Sequence, residues 1–302
     1  MKSTIAGALA AGSLSAASDV PRRVYRDHVK LSVIGFGGIV VMGHEQDEAD
    51  RLVAAAYDAG INYFDVAPSY GDGEAEMKLG PALVPYRKNV FLACKTGKRD
   101  AAGAQAELDR SLERLHSDHF DLYQFHAVTT MKDVEQILGP GGAAETFVRA
   151  RKAGKVRFLG ASCHSPEAAL ALLDRFELDS LLFPVNFVCW SQGNFGPQIL
   201  ARAKEKGVAR LALKAMAYTK WPEGADRNKY PNCWYQPVED PELARKAVRF
   251  TLSQDITAAV PPGHEHLWRL ALEAARGFKP FNPAEQREFL AATKGIEPIF
   301  RA

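Results

Sequence analysis

Four polar residues each follow a short apolar segment of this sequence, at nearly regular intervals. Asp65, Lys95, His126 and Ser162 are separated by 30, 31 and 36 residues, and each interval is about the length of one strand plus one helix. Because a charged side chain beside a buried segment needs a partner, we expect these side chains to meet. A carboxylate, an amine, an imidazole and a hydroxyl in one place would form a site that transfers protons.

Tyr70 joins this group because it lies five residues after Asp65, in the loop APSYG, which can turn back over the same place. Each residue taken alone also has a structural interpretation. Asp65 could cap the following helix, Lys95 could be a solvated lysine at a strand end, and His126 could be a hydrogen-bonded histidine of the core. The structural interpretation is favoured for any one of them, and the functional one for the whole set on consecutive segments.

The elements that must position these residues alternate between two patterns. Past residue 30, short apolar segments typical of strands buried on both faces alternate with segments of helical periodicity. Eight such strands with intervening helices predict a (β/α)8 TIM barrel, a single α/β domain. Polar residues at strand ends then lie at the carboxyl face of the barrel. The predicted strands are 33–37, 61–66, 89–95, 120–126, 156–162, 181–187, 210–216 and 256–260.

Helix boundaries are marked by capping residues. Ser165 and Asp240 each precede a proline at the first helical position, and Gly60 ends the first helix. Asn282 begins a capping-box pattern that predicts an extra C-terminal helix packed on the barrel. The stretch 217–240 is predicted to be a long irregular loop. The predicted helices are 47–60, 104–115, 143–154, 165–176, 196–207, 241–252 and 282–295.

Composition narrows the class of protein. The net charge is +2, with acidic and basic residues interleaved, which argues against a nucleic-acid-binding protein. The four cysteines are far apart and show neither metal-site nor disulfide-scaffold spacing, so we expect no bound metal. No apolar run is long enough to span a membrane, and we expect no membrane partner.

The N-terminal segment 1–18 allows two interpretations. Its apolar run resembles an export signal, although the arginine pair of a twin-arginine signal should precede that run, and here Arg22 and Arg23 follow it. A flexible extension in front of a barrel domain of residues 19–302 explains the segment equally well. We therefore expect a cytoplasmic protein, with export as the alternative.

The motifs around the strand ends resemble those of the aldo-keto reductase superfamily. INYFDVAPSYG is similar to the segment that carries that family's active-site Asp and Tyr, FLACKTG to its lysine strand, and DLYQFH to its histidine strand. GFGG after the first strand and GASCHS at the end of the fifth match the general pattern as well. The resemblance covers about residue 22 to the end. It implies the barrel fold, nicotinamide-dependent reduction of aldehydes or ketones, and a monomer.

The resemblance also implies roles for four residues, and chemistry supports them. Hydride transfer leaves negative charge on the carbonyl oxygen, so the site must donate a proton, and Tyr70 is predicted to be this general acid. The ordinary pKa of a phenol is about 10, and a nearby ammonium lowers it. Lys95 supplies that ammonium and Asp65 orients it. His126 is predicted to donate a hydrogen bond to the carbonyl oxygen.

Cofactor contacts follow from the same resemblance. Ser162 is similar to the serine that holds the nicotinamide carboxamide, and Cys163 replaces the asparagine that often comes next. Asn186, on the sixth strand, resembles the second amide contact. Lys214 and Met216 end the seventh strand, where that family binds the pyrophosphate. The other predicted cofactor residues are Gly37 and Gly38, which permit close backbone approach, and Gly263 in the turn VPPG, which resembles the turn at the adenosine end.

NADP(H) is favoured over NAD(H) as the cofactor. Arg269 is the only fixed cation shortly after the eighth strand, about one turn into the following helix, from which it can reach a 2′-phosphate. Glu265 would repel that phosphate, so we expect a small preference, with NAD(H) also accepted. A metal at His264 and His266 is disfavoured because no further ligands accompany them.

Two other functions fit the sequence less well. A cofactor-sensing regulatory subunit of the same fold would keep the four site residues and turn over slowly. A metal-dependent hydrolase would show clusters of carboxylates and histidines, and a lysine plus a tyrosine is a poor metal site. The substrate is predicted to be a small carbonyl compound in contact with Trp190 or Trp234. The aromatic residues of 217–240 favour rings or sugars.

Overall fold

The computed structural model describes residues 20–302, so the signal-like segment and the proposed boundary at residue 19 lie outside the described residues. Twelve strands occur in the described part of the chain: β1 Arg22–Arg26, β2 Val29–Ser32, β3 Phe36–Gly37, β4 Tyr63–Asp65, β5 Phe91–Thr96, β6 Phe120–Val128, β7 Val156–Cys163, β8 Ser180–Pro184, β9 Ala209–Leu213, β10 Ala217–Lys220, β11 Tyr235–Pro237 and β12 Ala258–Val260.

Eleven α-helices accompany these strands within residues 20–302. They are α1 Gln46–Asp58, α2 Glu74–Leu83, α3 Ala101–Arg114, α4 Met131–Leu138, α5 Ala143–Lys152, α6 Pro166–Arg175, α7 Phe187–Gly193, α8 Pro197–Glu205, α9 Pro241–Ser253, α10 Glu265–Arg276 and α11 Pro283–Ala291. Short 3₁₀ helices span Gly38–Val41, Tyr70–Gly73 and Arg87–Asn89.

Eight parallel strands form the barrel. They pair in the order β3, β4, β5, β6, β7, β8, β9 and β12. A parallel bridge between Ile34, just before β3, and Ala259 of β12 brings the two ends of the sheet together. The amide of Gly35 also donates to the carbonyl oxygen of Ala259, at 2.9 Å. The predicted (β/α)8 TIM barrel is therefore confirmed. Nearly all strand positions are buried, because helices cover the outside and side chains fill the inside.

The antiparallel hairpin of β1 and β2 precedes the barrel and is not predicted by the sequence patterns. Its Tyr25 packs on Phe91 and Phe158, with ring centroids 5.0 and 5.3 Å apart. Those two residues lie near the amino ends of β5 and β7. The hairpin therefore closes the end of the barrel opposite to the one that carries the polar strand-end residues.

Two predicted strands extend three residues too far at their carboxyl ends. β8 ends at Pro184 and not at residue 187, because Asn186 caps helix α7. β9 ends at Leu213, so Lys214 and Met216 follow the seventh barrel strand instead of ending it. Lys214 has a φ of +67°, outside the extended region, which stops the strand at that point.

The stretch 217–240 is not wholly irregular, since β10 and β11 pair within it as an antiparallel hairpin. Helices α2, α4 and α7 are additions to the predicted set, and α10 is the helix expected after the eighth strand without stated bounds. Pro81 lies inside α2, which disguises that helix in the sequence, and α4 and α7 have only 8 and 7 residues.

The capping predictions are confirmed. The side chains of Ser165 and Asp240 accept hydrogen bonds from the first turns of α6 and α9, and Asn282 forms a capping box at α11. The extra C-terminal helix is present, although it spans nine residues and not the predicted 282–295. Within residues 20–302, no helix is both long and apolar enough to cross a membrane.

Candidate active site

The ion pair of Lys95 and Asp65 forms the base of the site. Asp65 ends β4, and Lys95 lies near the end of the adjacent strand β5. The Lys95 ammonium donates to Oδ1 of Asp65 and to the backbone oxygen of Val66, the latter at 3.2 Å. Burial by itself would lower the pKa of Lys95, but Asp65 and Tyr70 raise that pKa above its ordinary value. Lys95 is therefore a fixed cation at neutral pH.

Two neutral donors complete the surroundings of the Asp65 carboxylate. The Tyr63 hydroxyl and Nε2 of Gln124 each donate to Oδ2 of Asp65 at 3.1 Å. Both side chains are fully buried, and Gln124 lies beside Lys95 in the register of β5 with β6. Hydrogen bonds to a buried charge stabilise it strongly, so these donors support the ion pair below the site.

Tyr70 is held over the ion pair by a tight turn. Gly71 and Gly73, which follow it, have φ values of +59° and +94°. The Tyr70 hydroxyl oxygen accepts a hydrogen bond from Nζ of Lys95 at 3.3 Å. Burial raises the pKa of Tyr70 above 10, while Lys95 opposes this rise and Asp65 adds to it. The phenol is therefore protonated at neutral pH and has a proton to donate.

His126 faces Tyr70 from strand β6. The two rings stand edge to face, with centroids 5.6 Å apart and planes at 83°. Nδ1 of His126 lies 3.3 Å from the Ser69 hydroxyl oxygen. Burial, reinforced by the positive charge of Lys95, lowers the pKa of His126 well below 6.5. When the Ser69 hydroxyl donates to Nδ1, the proton of this neutral imidazole lies on Nε2, which can donate to a ligand.

A cavity of about 360 Å³ opens over these residues at the carboxyl face of the barrel. Leu182, Leu213 and Val260 form much of its apolar wall. Polar groups converging in an apolar pocket are typical of a small-molecule site. The predicted site residues that line it are Asp65, Tyr70, His126, Ser162, Lys214, Trp234 and Gly263.

The sequence profile of the aldo/keto reductase family matches residues 33–250, well over half of the chain. The chain belongs to the aldo/keto reductase family. It is 30% identical to a 6-dehydroglucose reductase of Novosphingobium aromaticivorans, over 93% of this chain and 92% of that protein. An uncharacterized oxidoreductase of Bacillus subtilis is 26% identical, over 82% of this chain and 88% of that protein.

Solved structures show the same fold. The structure of an aldo-keto reductase of Bacillus halodurans matches 93% of this chain and 98% of its own, with a TM-score of 0.69 and 22% identity. As an aldo/keto reductase, this chain is an oxidoreductase of carbonyl compounds, and the family binds nicotinamide cofactors.

Lys214 of this aldo/keto reductase faces the cavity without an acidic partner. Its Nζ lies over the rings of Trp234 and Tyr235, 5.2 and 4.7 Å from their centroids. Among residues 20–302, no carboxylate forms an ion pair with it. Burial lowers the pKa of Lys214 to about 8, and Lys95 adds to the effect. A cation held in this way suits an anionic ligand group.

The Asn186 side chain is fully occupied by the protein. Its Nδ2 donates to the carbonyl oxygens of Lys214 and Ala217 at 2.9 and 2.7 Å, and its Oδ1 accepts from the amides of Val188 and Cys189. These bonds fix the turn that carries Lys214. The predicted contact of Asn186 with the nicotinamide stays a prediction.

Four further residues predicted to bind the cofactor do not line the cavity. Cys163 and Met216 are completely buried. An added Cβ would come within 3.2 Å of Val260 at Gly37 and within 2.7 Å of Val66 at Gly38. The close approach that these glycines permit is thus first of all to the protein itself.

Trp190 and Arg269 also lie away from the cavity lining. The Trp190 ring packs on Phe250 at 5.8 Å between centroids. Nε of Arg269 donates to Glu265 at 2.8 Å, and the Arg269 side chain is 49% exposed. Gly263, which is also predicted to bind the cofactor, does line the cavity. A Cβ added there would lie 2.2 Å from Ile39.

Sequence reasoning missed His164, Asn232 and Tyr235, which line the cavity. Burial lowers the pKa of His164 to about 3, with Lys214 and Lys95 contributing, so this imidazole is neutral. A signal for His164 was present, because it follows Ser162 by two residues and side chains at that spacing share one face of a strand.

Among residues 20–302, no three His, Cys, Asp or Glu side chains form a candidate metal site.

Proposed function

We propose that this aldo/keto reductase reduces an aldehyde or ketone with NADP(H), and that Tyr70 is the general acid. The observation that carries the proposal is the position of Tyr70. Its protonated hydroxyl lies at the cavity, 3.3 Å from the ammonium of Lys95, which is itself paired with the buried Asp65.

The residues divide the work of proton transfer. Lys95 stabilises the phenolate that Tyr70 becomes when its proton leaves, and so lowers the barrier to donation. Asp65, supported by Tyr63 and Gln124, holds the Lys95 ammonium in place. The neutral imidazole of His126 donates a hydrogen bond to the carbonyl oxygen and directs it toward Tyr70.

The cavity residues fit a nicotinamide cofactor. A bound reduced nicotinamide would supply the hydride. Lys214 lacks a carboxylate partner and would hold a pyrophosphate oxygen, and the Ser162 hydroxyl at the cavity wall would hold the carboxamide. Gly263 leaves the turn after β12 close to Ile39, so the backbone of this turn is accessible to a ligand.

The test is oxidation of NADPH with a panel of aldehydes and ketones, comparing the wild type with Tyr70→Phe. We expect Tyr70→Phe to lose about 10²- to 10⁴-fold in turnover, the usual contribution of general acid catalysis, and to bind cofactor normally. Tyr57→Phe is the control, because Tyr57 stacks on Tyr86 at the barrel exterior. Cofactor binding without turnover on any substrate would favour the regulatory subunit instead.

The panel should contain oxidised sugars. One relative is called a 6-dehydroglucose reductase, and the cavity combines the flat ring of Trp234 with the polar groups of Asn232 and His164. Aromatic faces pack on sugar rings while polar side chains bind their hydroxyls. We propose a hydroxylated carbonyl compound as the substrate, to be tested by comparing kcat/KM for sugar carbonyls and unsubstituted aldehydes of equal size.

A further inference from the structure

Strand β6 is irregular at the point where it carries His126. Its pairing with β7 shifts register between Phe125 and Val128, so that His126 and Ala127 form a bulge. Ala127 has a φ of +50°, in the left-handed region that a residue with a Cβ rarely adopts. Bulges next to active sites change the direction of a side chain, and here the His126 ring faces the cavity.

The side chain of Arg99 binds both carbonyl oxygens of this bulge. Nη1 donates to the oxygen of His126 at 2.9 Å, and Nη2 donates to the oxygen of Ala127 at 3.1 Å. The Arg99 side chain is only 17% exposed. Because the guanidinium is planar and rigid, two parallel donors fix the orientation of the two peptide groups together.

Asp133 fixes Arg99 from the other side. Nε of Arg99 donates to Oδ1 of Asp133 at 2.9 Å. The second carboxylate oxygen accepts from the amides of Thr129 and Thr130 at 3.1 and 3.0 Å, so it is anchored to the chain that follows β6. The Arg99 guanidinium is thus hydrogen-bonded to Asp133 on one side and to the bulge on the other.

We propose that Arg99 is a positioning residue for His126. Its guanidinium holds the bulge in the left-handed conformation and so directs the imidazole at the oxygen of a bound carbonyl. The hydrogen bonds to the two oxygens offset the conformational cost at Ala127. Arg99 lies in the loop after β5, so it also couples the strand of Lys95 to the strand of His126. This inference rests on the proposed function, in which His126 orients the substrate.

Arg87, in the 3₁₀ helix before β5, provides a matched control because it contacts the same strand, β6. Its side chain is 14% exposed, and it donates to the carbonyl oxygen of His119 at 2.8 Å and to Asp121 at 3.1 Å. Arg87 therefore binds the amino end of β6, and Arg99 binds its carboxyl end. We expect Arg99→Met to lower kcat for carbonyl reduction about ten- to a hundredfold without changing the Kd of the cofactor. Arg87→Met should leave the kcat of the folded protein within about twofold of the wild type.

The variant Ala127→Gly tests the conformational argument. Glycine adopts a positive φ without steric cost. With glycine at position 127, the left-handed conformation of the bulge therefore depends less on the hydrogen bonds from Arg99. We expect the loss caused by Arg99→Met to be several times smaller when Ala127→Gly is also present. Equal losses with and without Ala127→Gly, or equal losses for Arg99→Met and Arg87→Met, would show that Arg99 only stabilises the barrel.

A measurement without substrate separates this inference from the proposed function. The His126 ring stands edge-on to Tyr70, so its ¹H–¹³C resonances, assigned from their loss in His126→Gln, report its position. We expect these resonances to move in Arg99→Met and to stay in place in Arg87→Met. If Arg99→Met does not fold, Arg99→Lys, which lacks the two-pronged donor, is measured in the same way. Unmoved His126 resonances would overturn the inference, whereas absence of turnover in the wild type would overturn only the proposed function.

Discussion

The Nζ atom of Lys95 lies 3.3 Å from the hydroxyl oxygen of Tyr70. These residues are 25 positions apart in the chain, one at the end of β5 and the other in the turn that follows β4. Because the ammonium is paired with buried Asp65 behind it, its charge is fixed in front of the phenol. The pair therefore links the protonation of Tyr70 to a permanent positive charge.

Removing the charge of Lys95 should shift the ionisation of Tyr70. Lys95 lowers a Tyr70 pKa that burial has raised, so without it the pKa rises further. Alcohol oxidation needs the phenolate, so its rate increases with pH. Without the charge of Lys95, this increase should occur at higher pH. Deleting one member of a buried pair costs about 3–5 kcal/mol, so the pH profile is measured in the double variant Lys95→Met/Asp65→Asn. Loss of Asp65, which raises the pKa of Tyr70, offsets only part of the shift, because Lys95 has the larger effect on that pKa. An unchanged profile would contradict the coupling.

The hydroxyl of Tyr63 should contribute to stability through Asp65. Tyr63→Phe removes a buried hydrogen bond to a carboxylate, which is typically worth about 2 kcal/mol of unfolding free energy. Tyr25→Phe is the control, because it removes a buried tyrosine hydroxyl that makes no hydrogen bond to a carboxylate. Urea unfolding of both variants measures the difference, and equal losses in the two would argue against a charged partner for Tyr63.

Lys214 should destabilise the cofactor-free protein at neutral pH. Its pKa is about 8 in the folded protein and 10.5 ordinarily, so the unfolded chain binds more protons between these values, and stability rises with pH there. Below pH 8 the buried charge carries its full cost, partly offset by the rings of Trp234 and Tyr235. Lys214→Met should therefore stabilise the protein at pH 7 by about 1–2 kcal/mol.

This gain from Lys214→Met should shrink as the pH rises from 8 toward 10.5, which thermal unfolding at several pH values will show. Lys98→Met, on an exposed lysine of the loop after β5, is the control variant for this measurement. The same Lys214→Met protein should bind cofactor more weakly. Tighter cofactor binding in this variant would remove Lys214 from the pyrophosphate site.

Cofactor preference should be small and should depend on Arg269. Its guanidinium is shared with Glu265, which limits its attraction for a 2′-phosphate. We expect the wild type to bind NADPH more tightly than NADH, and Arg269→Ala to erase most of the difference while NADH affinity stays nearly constant. Fluorescence titration of both cofactors measures this. Arg245→Ala is the control, an exposed arginine similarly paired with Glu242 on α9. A preference for NADH in the wild type would instead make Glu265 a partner of the ribose hydroxyl.

The order of the elements and the core of the site were predictable from the sequence. Apolar segments at regular intervals predict a parallel barrel, and a parallel barrel gathers all its strand ends at one face. Asp65, Lys95 and His126 are therefore placed at the same face of the barrel. Local signals also sufficed for the helix caps, because Ser165, Asp240 and Asn282 act within a single turn of chain.

Only the tertiary structure decided which residues support that core and which predicted residues face the cavity. The contact of Gln124 with Asp65 spans 59 residues, and that of Arg99 with His126 spans 27, so no local pattern encodes them. The bulge at Ala127 is likewise invisible in a segment that reads as a regular strand. Barrel closure sets the register between distant strands, and register determines which side chains become neighbours.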